Sequence, residues 1–261
     1  MKPPSKSLFR PRTGVDKSFL LENRKLIERI DRRNVLRGAL SLGALTMLGG
    51  CEVSENDKLQ TVLRGVSDWN DRVQAFLFRP GHLAPTYPEA QVVKPPRFNA
   101  HYDIEDVKPV DGATWKLELS GLIADKRPWT VEQLYQLPEQ EMIIKHICVE
   151  GWDYIGQWSG INLRSFLERI GADTTAKYVA FRCADDYTES IDMASALHPQ
   201  TMLATKYARE PIADPFGFPL RLRTATKLGF KNAKWVTAME VTNDFPDTYY
   251  RKEGFNWFAG I

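Results

Sequence analysis

From about residue 98 onward the apolar residues of this chain fall in short runs that switch sides at every second position. Glycine and proline break the runs, and no strand–helix unit repeats. Such spacing leaves a strand-rich α+β domain with short peripheral helices. Thr114–Ile123 alternates around Trp115, Leu117 and Leu119 and turns at Gly121. Glu141–Cys148 reads as a strand with Met142, Ile144 and His146 on one face. Lys177–Cys183, Ser190–Met193, Phe218–Thr224 and Lys234–Thr242 read as further strands. Thr130-Val131-Glu132-Gln133 has the form of a capping box opening a short helix to Leu137. Asn162 is placed to cap a helix over Leu163–Ile170, which Gly171 stops.

Hydrophobic residues make up 43% of the 261 and charged residues 26%, ordinary globular usage that excludes disorder, collagen and coiled coil. Charge is uneven. The first 50 residues hold 11 Lys and Arg against 4 Asp and Glu, leaving 24 against 29 for the rest. A slightly acidic body excludes a nucleic-acid partner, because phosphate binding needs clustered positive charge. Residues 1–51 read as an export signal. Arg32 and Arg33 precede an apolar run of 13 residues, Gly38–Gly50. A bilayer span needs roughly 20. The paired arginines resemble a twin-arginine signal, and Leu48-Gly49-Gly50-Cys51 resembles a lipobox with Cys51 as the lipidated residue. The expected location is the periplasm or the outer face of the cytoplasmic membrane, with Cys51 as a lipid anchor. Twin-arginine export carries folded proteins, which suits a chain that takes up a cofactor first.

Residues 52–97 form a tether, an amphipathic helix and a proline-rich arm, and residues 98–261 form the domain itself. The helix, Lys58–Phe78, carries Leu59, Val62, Leu63, Val66, Trp69, Val73, Phe76 and Leu77 at helical spacing. It is expected to pack this stripe on its own domain, with a membrane partner as the alternative. Arg79–Pro96 holds five prolines and is expected to be an extended surface arm.

Cys148 ends an apolar strand and leads into Val149-Glu150-Gly151-Trp152. An unpaired cysteine there is by default a buried, inert side chain. Three chemical readings compete with that: a catalytic thiolate with His146 as its base, a disulfide to Cys183, or a thiolate ligand to a soft metal. One thiolate cannot hold zinc by itself, so a one-cysteine metal site needs a cofactor that brings further sulfur. Downstream, Arg221 and Arg223 share a strand, and Lys231 and Lys234 flank Asn232-Ala233 after a glycine turn at Gly229. Such a group can hold a phosphate or another anion, or it can be a solvated basic strand edge.

In this order the segments resemble the molybdopterin domain of the sulfite oxidase family, and within it the periplasmic methionine-sulfoxide reductase branch. The likeness runs from about Phe98 to Thr242. It rests most on Cys148-Val149-Glu150-Gly151-Trp152 with Trp158-Ser159-Gly160-Ile161-Asn162-Leu163. Gly217-Phe218-Pro219-Leu220-Arg221-Leu222 with Gly229-Phe230-Lys231-Asn232-Ala233-Lys234 is the second match. The resemblance implies a molybdenum–molybdopterin cofactor with Cys148 as the protein's metal ligand and catalytic residue. It also implies cofactor contacts from Asn99, Tyr102, Asp103, Cys183, Arg221, Asn232, Ala233 and Lys234, with Arg221, Lys231 and Lys234 neutralising the cofactor phosphate. The implied reaction is two-electron oxygen-atom transfer, with reduction of a methionine-sulfoxide-type or small-molecule sulfoxide first and oxidation of sulfite second. No haem-attachment motif is present, so electrons are expected from a membrane or periplasmic partner such as a cytochrome. No immunoglobulin-like dimerisation domain follows, and a monomer is expected. Two departures stand out: Phe216 replaces the usual Asn or His beside the cofactor, and His146 replaces an arginine. They keep alive a cofactor-free binding protein on the same scaffold.

Overall fold

The computed structural model describes residues 57–261, with side chains from Gln60; the twin-arginine segment and Cys51 lie outside the described residues. In chain order the main elements are α1 (Asp57–Leu77), β1 (Lys116–Gly121), β2 (Trp129–Thr130), α2 (Val131–Tyr135), β3 (Gln140–Ile147), β4 (Asp153–Asn162), α3 (Leu163–Arg169), β5 (Tyr178–Cys183), β6 (Thr188–Asp192), β7 (Thr201–Tyr207), β8 (Glu210–Pro211), β9 (Arg221–Thr224) and β10 (Val236–Thr242). Strands dominate, as the alternation implies.

The first sheet has the order β2-β1-β10-β5-β6. Its β1 follows the simple alternation: Leu117 and Leu119 are buried while Lys116 and Glu118 face out. The pair β1–β10 is parallel and the others are antiparallel. Both helix caps form. Thr130 Oγ1 accepts from Gln133 N at 3.3 Å and Gln133 Oε1 accepts from Thr130 N at 2.9 Å. Asn162 Oδ1 accepts from Ser165 N at 3.2 Å, and Gly171 ends that turn at φ +63°.

The second sheet has the order β3-β4-β7-β8, with β9 also on β7. Here the spacing rule fails for a physical reason. Strands β4 and β7 are buried on both faces, so neither alternates and neither is legible as a strand. Ile161 and Leu203 point into the main core with the first sheet, while Trp158, Met202 and Ala204 point into a second cluster. The arm 79–96 helps to close that second face: Ala84 and Val92 pack on it, and Val93 N donates to Ile155 O at 3.0 Å. The last strand is shorter than expected. Arg221 opens it because Pro219 has no N–H for a ladder.

The expectation for α1 is overturned. Its polar side, with Ser67, Asn70, Asp71 and Gln74, meets the C-terminal segment, and its apolar stripe faces out. Asp71 Oδ1 accepts from Phe258 N at 2.8 Å and Gln74 Oε1 from Gly260 N at 2.9 Å. Backbone N–H groups of a strand-free C-terminal segment need acceptors, and this polar helical side supplies them.

A β-bulge between β4 and β7 fixes how closely these two buried strands approach. Ser159 pairs with Lys206 and Gly160 with Ala204, which leaves Thr205 as the extra residue. A Cβ at Gly160 would lie 2.1 Å from Leu203 O and 2.6 Å from Ala204 Cα, both backbone atoms. Gly160→Ala is therefore expected to cost about 3 kcal/mol or more. The check is a denaturant titration beside Gly81→Ala, whose Cβ would meet nothing within 4 Å and whose backbone is outside the left-handed region.

Candidate functional site

Strand β3 delivers Cys148 to a tight turn. Cys148 N donates to Trp152 O at 2.9 Å and Gly151 N to Cys148 O at 3.1 Å, closing the link between β3 and β4. Gly151 takes φ +88° there, where a side chain would be strained. The buried thiol lies on a cavity shared with Glu150, Asn99, His101, Tyr187 and Lys234. Burial pushes the Cys148 thiol above its usual pKa. Its polar neighbour is Glu150, with Sγ to Oε2 at 3.8 Å, and that carboxylate also accepts from Trp152 Nε1 at 2.7 Å.

Two readings of Cys148 are corrected by this geometry. Cys148 and Cys183 are both free and buried, so no disulfide joins them. His146 is not its base, because both ring nitrogens are buried without a hydrogen-bond partner, and Cys148 bonds Glu150 instead. The imidazole packs against Trp152 and Tyr154 in a three-ring cluster, with ring centroids at 5.9 and 5.0 Å. Burial, with Arg223, Arg221 and Lys234 adding to it, holds His146 well below its ordinary pKa and therefore neutral.

Lys234 lines the same cavity, and the buried basic residues of this region divide into two kinds. Lys231 Nζ pairs with Glu189 Oε1 at 2.6 Å and Lys227 Nζ with Asp192 Oδ1 at 3.0 Å. Lys231, expected at a cofactor phosphate, is thus already neutralised. Arg221, Arg223 and Lys234 are also buried, yet no salt bridge reaches them among the described residues. Arg221 stacks on Trp158 at 4.5 Å and donates to Phe216 O at 2.9 Å. Arg223 donates to Lys145 O and Asn232 Oδ1, both at 2.7 Å. Lys234 Nζ has no hydrogen-bond partner and rests over the rings of Trp235 and Phe98. Burial, with Arg221 beside it, brings Lys234 down to about 6. These arginines are not the solvated strand edge that the charge pattern allows.

The other expected residues are spread unevenly. Asn99, Asn232, Ala233 and Lys234 line the cavity with Cys148. Asn232 braces it as well, accepting from Thr224 N at 2.7 Å and donating to Leu228 O at 3.1 Å. Tyr102 lines a neighbouring cleft and donates to Asp185 Oδ2 at 3.0 Å. Asp103 is exposed at the start of a short 3-10 turn, and Cys183 is buried outside the lining. His101, Tyr187 and Tyr250 line the cavity without any sequence signal, because they come from three separate segments. Among the described residues, no group of three or more His, Cys, Asp and Glu can hold a metal ion.

Residues 103–250 match the family model for the oxidoreductase molybdopterin binding domain. The chain belongs to this family. It is a molybdenum-dependent oxidoreductase of the sulfite-oxidase-like class, and its cofactor is molybdenum–molybdopterin. The cofactor-free reading raised by Phe216 is thereby set aside. A putative protein-methionine-sulfoxide reductase subunit YedZ1 of Azospira oryzae is 47% identical over 90% of each chain. The protein-methionine-sulfoxide reductase catalytic subunit MsrP of Campylobacter jejuni is 28% identical over 56% of each. The MsrP of Xanthomonas campestris is 30% identical over 51% of this chain and 47% of its own length. The chain spans about half the length of these MsrP relatives. The sulfane dehydrogenase SoxCD of Paracoccus pantotrophus shares the fold, with TM-score 0.50 and 18% identity over 53% of this chain and 40% of its own.

The donor set of this molybdopterin domain fits its cofactor. One thiol can add to a metal that brings its own sulfur ligands, and three buried cations without a carboxylate complement an anionic group. Lys234 tests this through pH. A buried lysine at about 6 that rises to its ordinary value on unfolding lowers stability most in acid, and the loss fades toward pH 10. Lys234→Met in cofactor-free protein is therefore expected to raise Tm at pH 7 by roughly 4 °C, as about 1–2 kcal/mol would in a domain of this size. The gain should vanish near pH 10, and the variant should retain less cofactor.

Proposed function

We propose that the chain is an exported oxygen-atom-transfer enzyme that reduces sulfoxides of the methionine-sulfoxide type. The observation that carries this is one cavity shared by the thiol of Cys148 and the buried, unpaired Lys234, with Arg221 and Arg223 buried behind it and outside any salt bridge among the described residues. The relatives named as protein-methionine-sulfoxide reductase support the substrate class.

Cys148 is the protein's ligand to molybdenum, and coordination would hold it as thiolate despite the burial that favours the thiol. Lys234 and Arg221 hold the negative charge of the cofactor, and Arg223 supports them through Asn232. Asn99 and the backbone at Asn232 and Ala233 meet the pterin. Tyr102 acts through Asp185. Asp103 and Cys183, outside the cavity lining, take no direct contact in this reading. When bound, the cofactor supplies two-electron redox chemistry: a sulfoxide, two electrons and two protons give a thioether and water. Glu150 Oε2, 3.8 Å from Cys148 Sγ, is the carboxylate atom at which a proton can be held beside the metal-ligating thiol. Trp152 Nε1 orients it. Electrons come from a membrane or periplasmic partner such as a cytochrome. The site of action is the periplasm or the outer membrane-facing surface of the cytoplasmic membrane. Among the described residues no helix is long and apolar enough to cross a membrane.

The test is metal and pterin content of protein made with its signal intact, wild type beside Cys148→Ala. Near-stoichiometric molybdenum is expected in the wild type. Methionine-sulfoxide reduction is expected to fall by roughly a thousandfold or more in the variant, with its metal lost or spectrally altered. A variant that kept both metal signature and turnover would overturn the assignment of Cys148. Oxidation of sulfite in place of sulfoxide reduction would change the substrate and leave the cofactor site standing.

A further inference from the structure

The exposed side of α1 has no role in the cofactor site. Val62, Val66, Trp69, Val73 and Phe76 recur at intervals of four and three, which puts them in one stripe about 21 Å long. Phe76 is 88% exposed, Trp69 64%, Val62 61% and Val66 58%. A row of large apolar side chains this exposed marks a contact surface. The helix cannot roll the stripe inward without breaking its polar docking. Asp71, Gln74 and Ser67 are all bonded to the segment Asn256–Gly260.

Charge selects the occupant. Within 62–79 the acidic residues are Asp68 and Asp71. Asp68 pairs with Arg251 at 3.2 Å, and Asp71 accepts from two backbone amides. Arg64, Arg72 and Arg79 are exposed and have no acidic partner among the described residues. The exposed surface of α1 and the turn after it thus combines an apolar stripe with arginines at its margins that no salt bridge neutralises among the described residues, the chemistry of a helix lying in the headgroup layer of an anionic membrane. Covalent distance agrees. Cys51, at the end of the signal-like run, precedes Asp57 by six residues, and six residues extend to about 20 Å at most.

We propose that the outward stripe of α1 rests on an anionic lipid surface and holds the enzyme against the membrane. The experiment uses the full chain carrying Cys51→Ser, so that no acyl chain is attached, and flotation with phosphatidylcholine vesicles made with or without phosphatidylglycerol. The parent is expected to float with the anionic vesicles and to do so less with neutral ones. Trp69→Glu with Phe76→Glu should lower the bound fraction roughly tenfold. Because both side chains are exposed, Tm should stay unchanged and confirm folding. The signal segment itself has affinity for lipid, so a second readout follows the stripe directly. Phe76→Cys carrying an environment-sensitive fluorophore should shift to the blue on vesicle addition. A label that stays in water on floated protein would overturn the proposal. So would a parent that ignores vesicles and instead dimerises through the stripe, which would assign the face to a second copy of the chain.

Discussion

Burying a cation without a counter-ion is among the costliest arrangements a fold can hold, and this domain holds three side by side. Arg221, Arg223 and Lys234 sit in the interior with carbonyl oxygens, Asn232 Oδ1 and the faces of Trp158, Trp235 and Phe98 as support, and with no salt bridge among the described residues. The same region neutralises Lys227 and Lys231 with Asp192 and Glu189. The scaffold can therefore pair a buried lysine where pairing suits it. Positive charge left unpaired near the Cys148 cavity is what the proposed cofactor site would use to hold an anionic group.

The rest of the architecture keeps that charge dry and in register. Sheet two presents His146, Tyr154, Trp158, Arg221 and Arg223 on one face through the pairings β3–β4, β4–β7 and β7–β9. The arm 79–96 and Phe216 cover part of that face. Phe216 gives its backbone carbonyl to Arg221 and its ring to the second core. Gly229 lets β3 approach: a Cβ there would lie 2.6 Å from His146 Nε2. A histidine at position 146 has an electrostatic sense as well. With three cations present, a fourth would add repulsion, whereas a neutral imidazole adds only bulk.

The helix α1 shows how a periodic pattern can be read correctly and placed wrongly. Its stripe of Val, Trp and Phe is visible at helical spacing, and burying such a stripe is the ordinary outcome. In the fold its Asp71 and Gln74 are taken by the amides of Trp257, Phe258 and Gly260, which no local pattern announces. Those acceptors are some 186 residues from their donors, and the pairing exists only once the C-terminal segment has been brought alongside.

Local sequence determined whatever depends on neighbours along the chain. The alternation of Trp115, Leu117 and Leu119, the capping box at Thr130 and Gln133, and the Asn162 cap with its Gly171 stop all form as read, because their partners lie within a few residues. The segments around Cys148 and Asn232-Ala233-Lys234, each contiguous in sequence, line one cavity together. Tertiary structure decided the rest. Strands β4 and β7 lost their alternation by being buried on both faces, and only packing shows which faces those are. Which lysines are neutralised, that His146 is kept from Cys148, and that His101, Tyr187 and Tyr250 meet at one cavity all depend on long-range contacts. Charge and hydrogen-bond partners in a folded interior are set by distance in space, and the sequence records only distance along the chain.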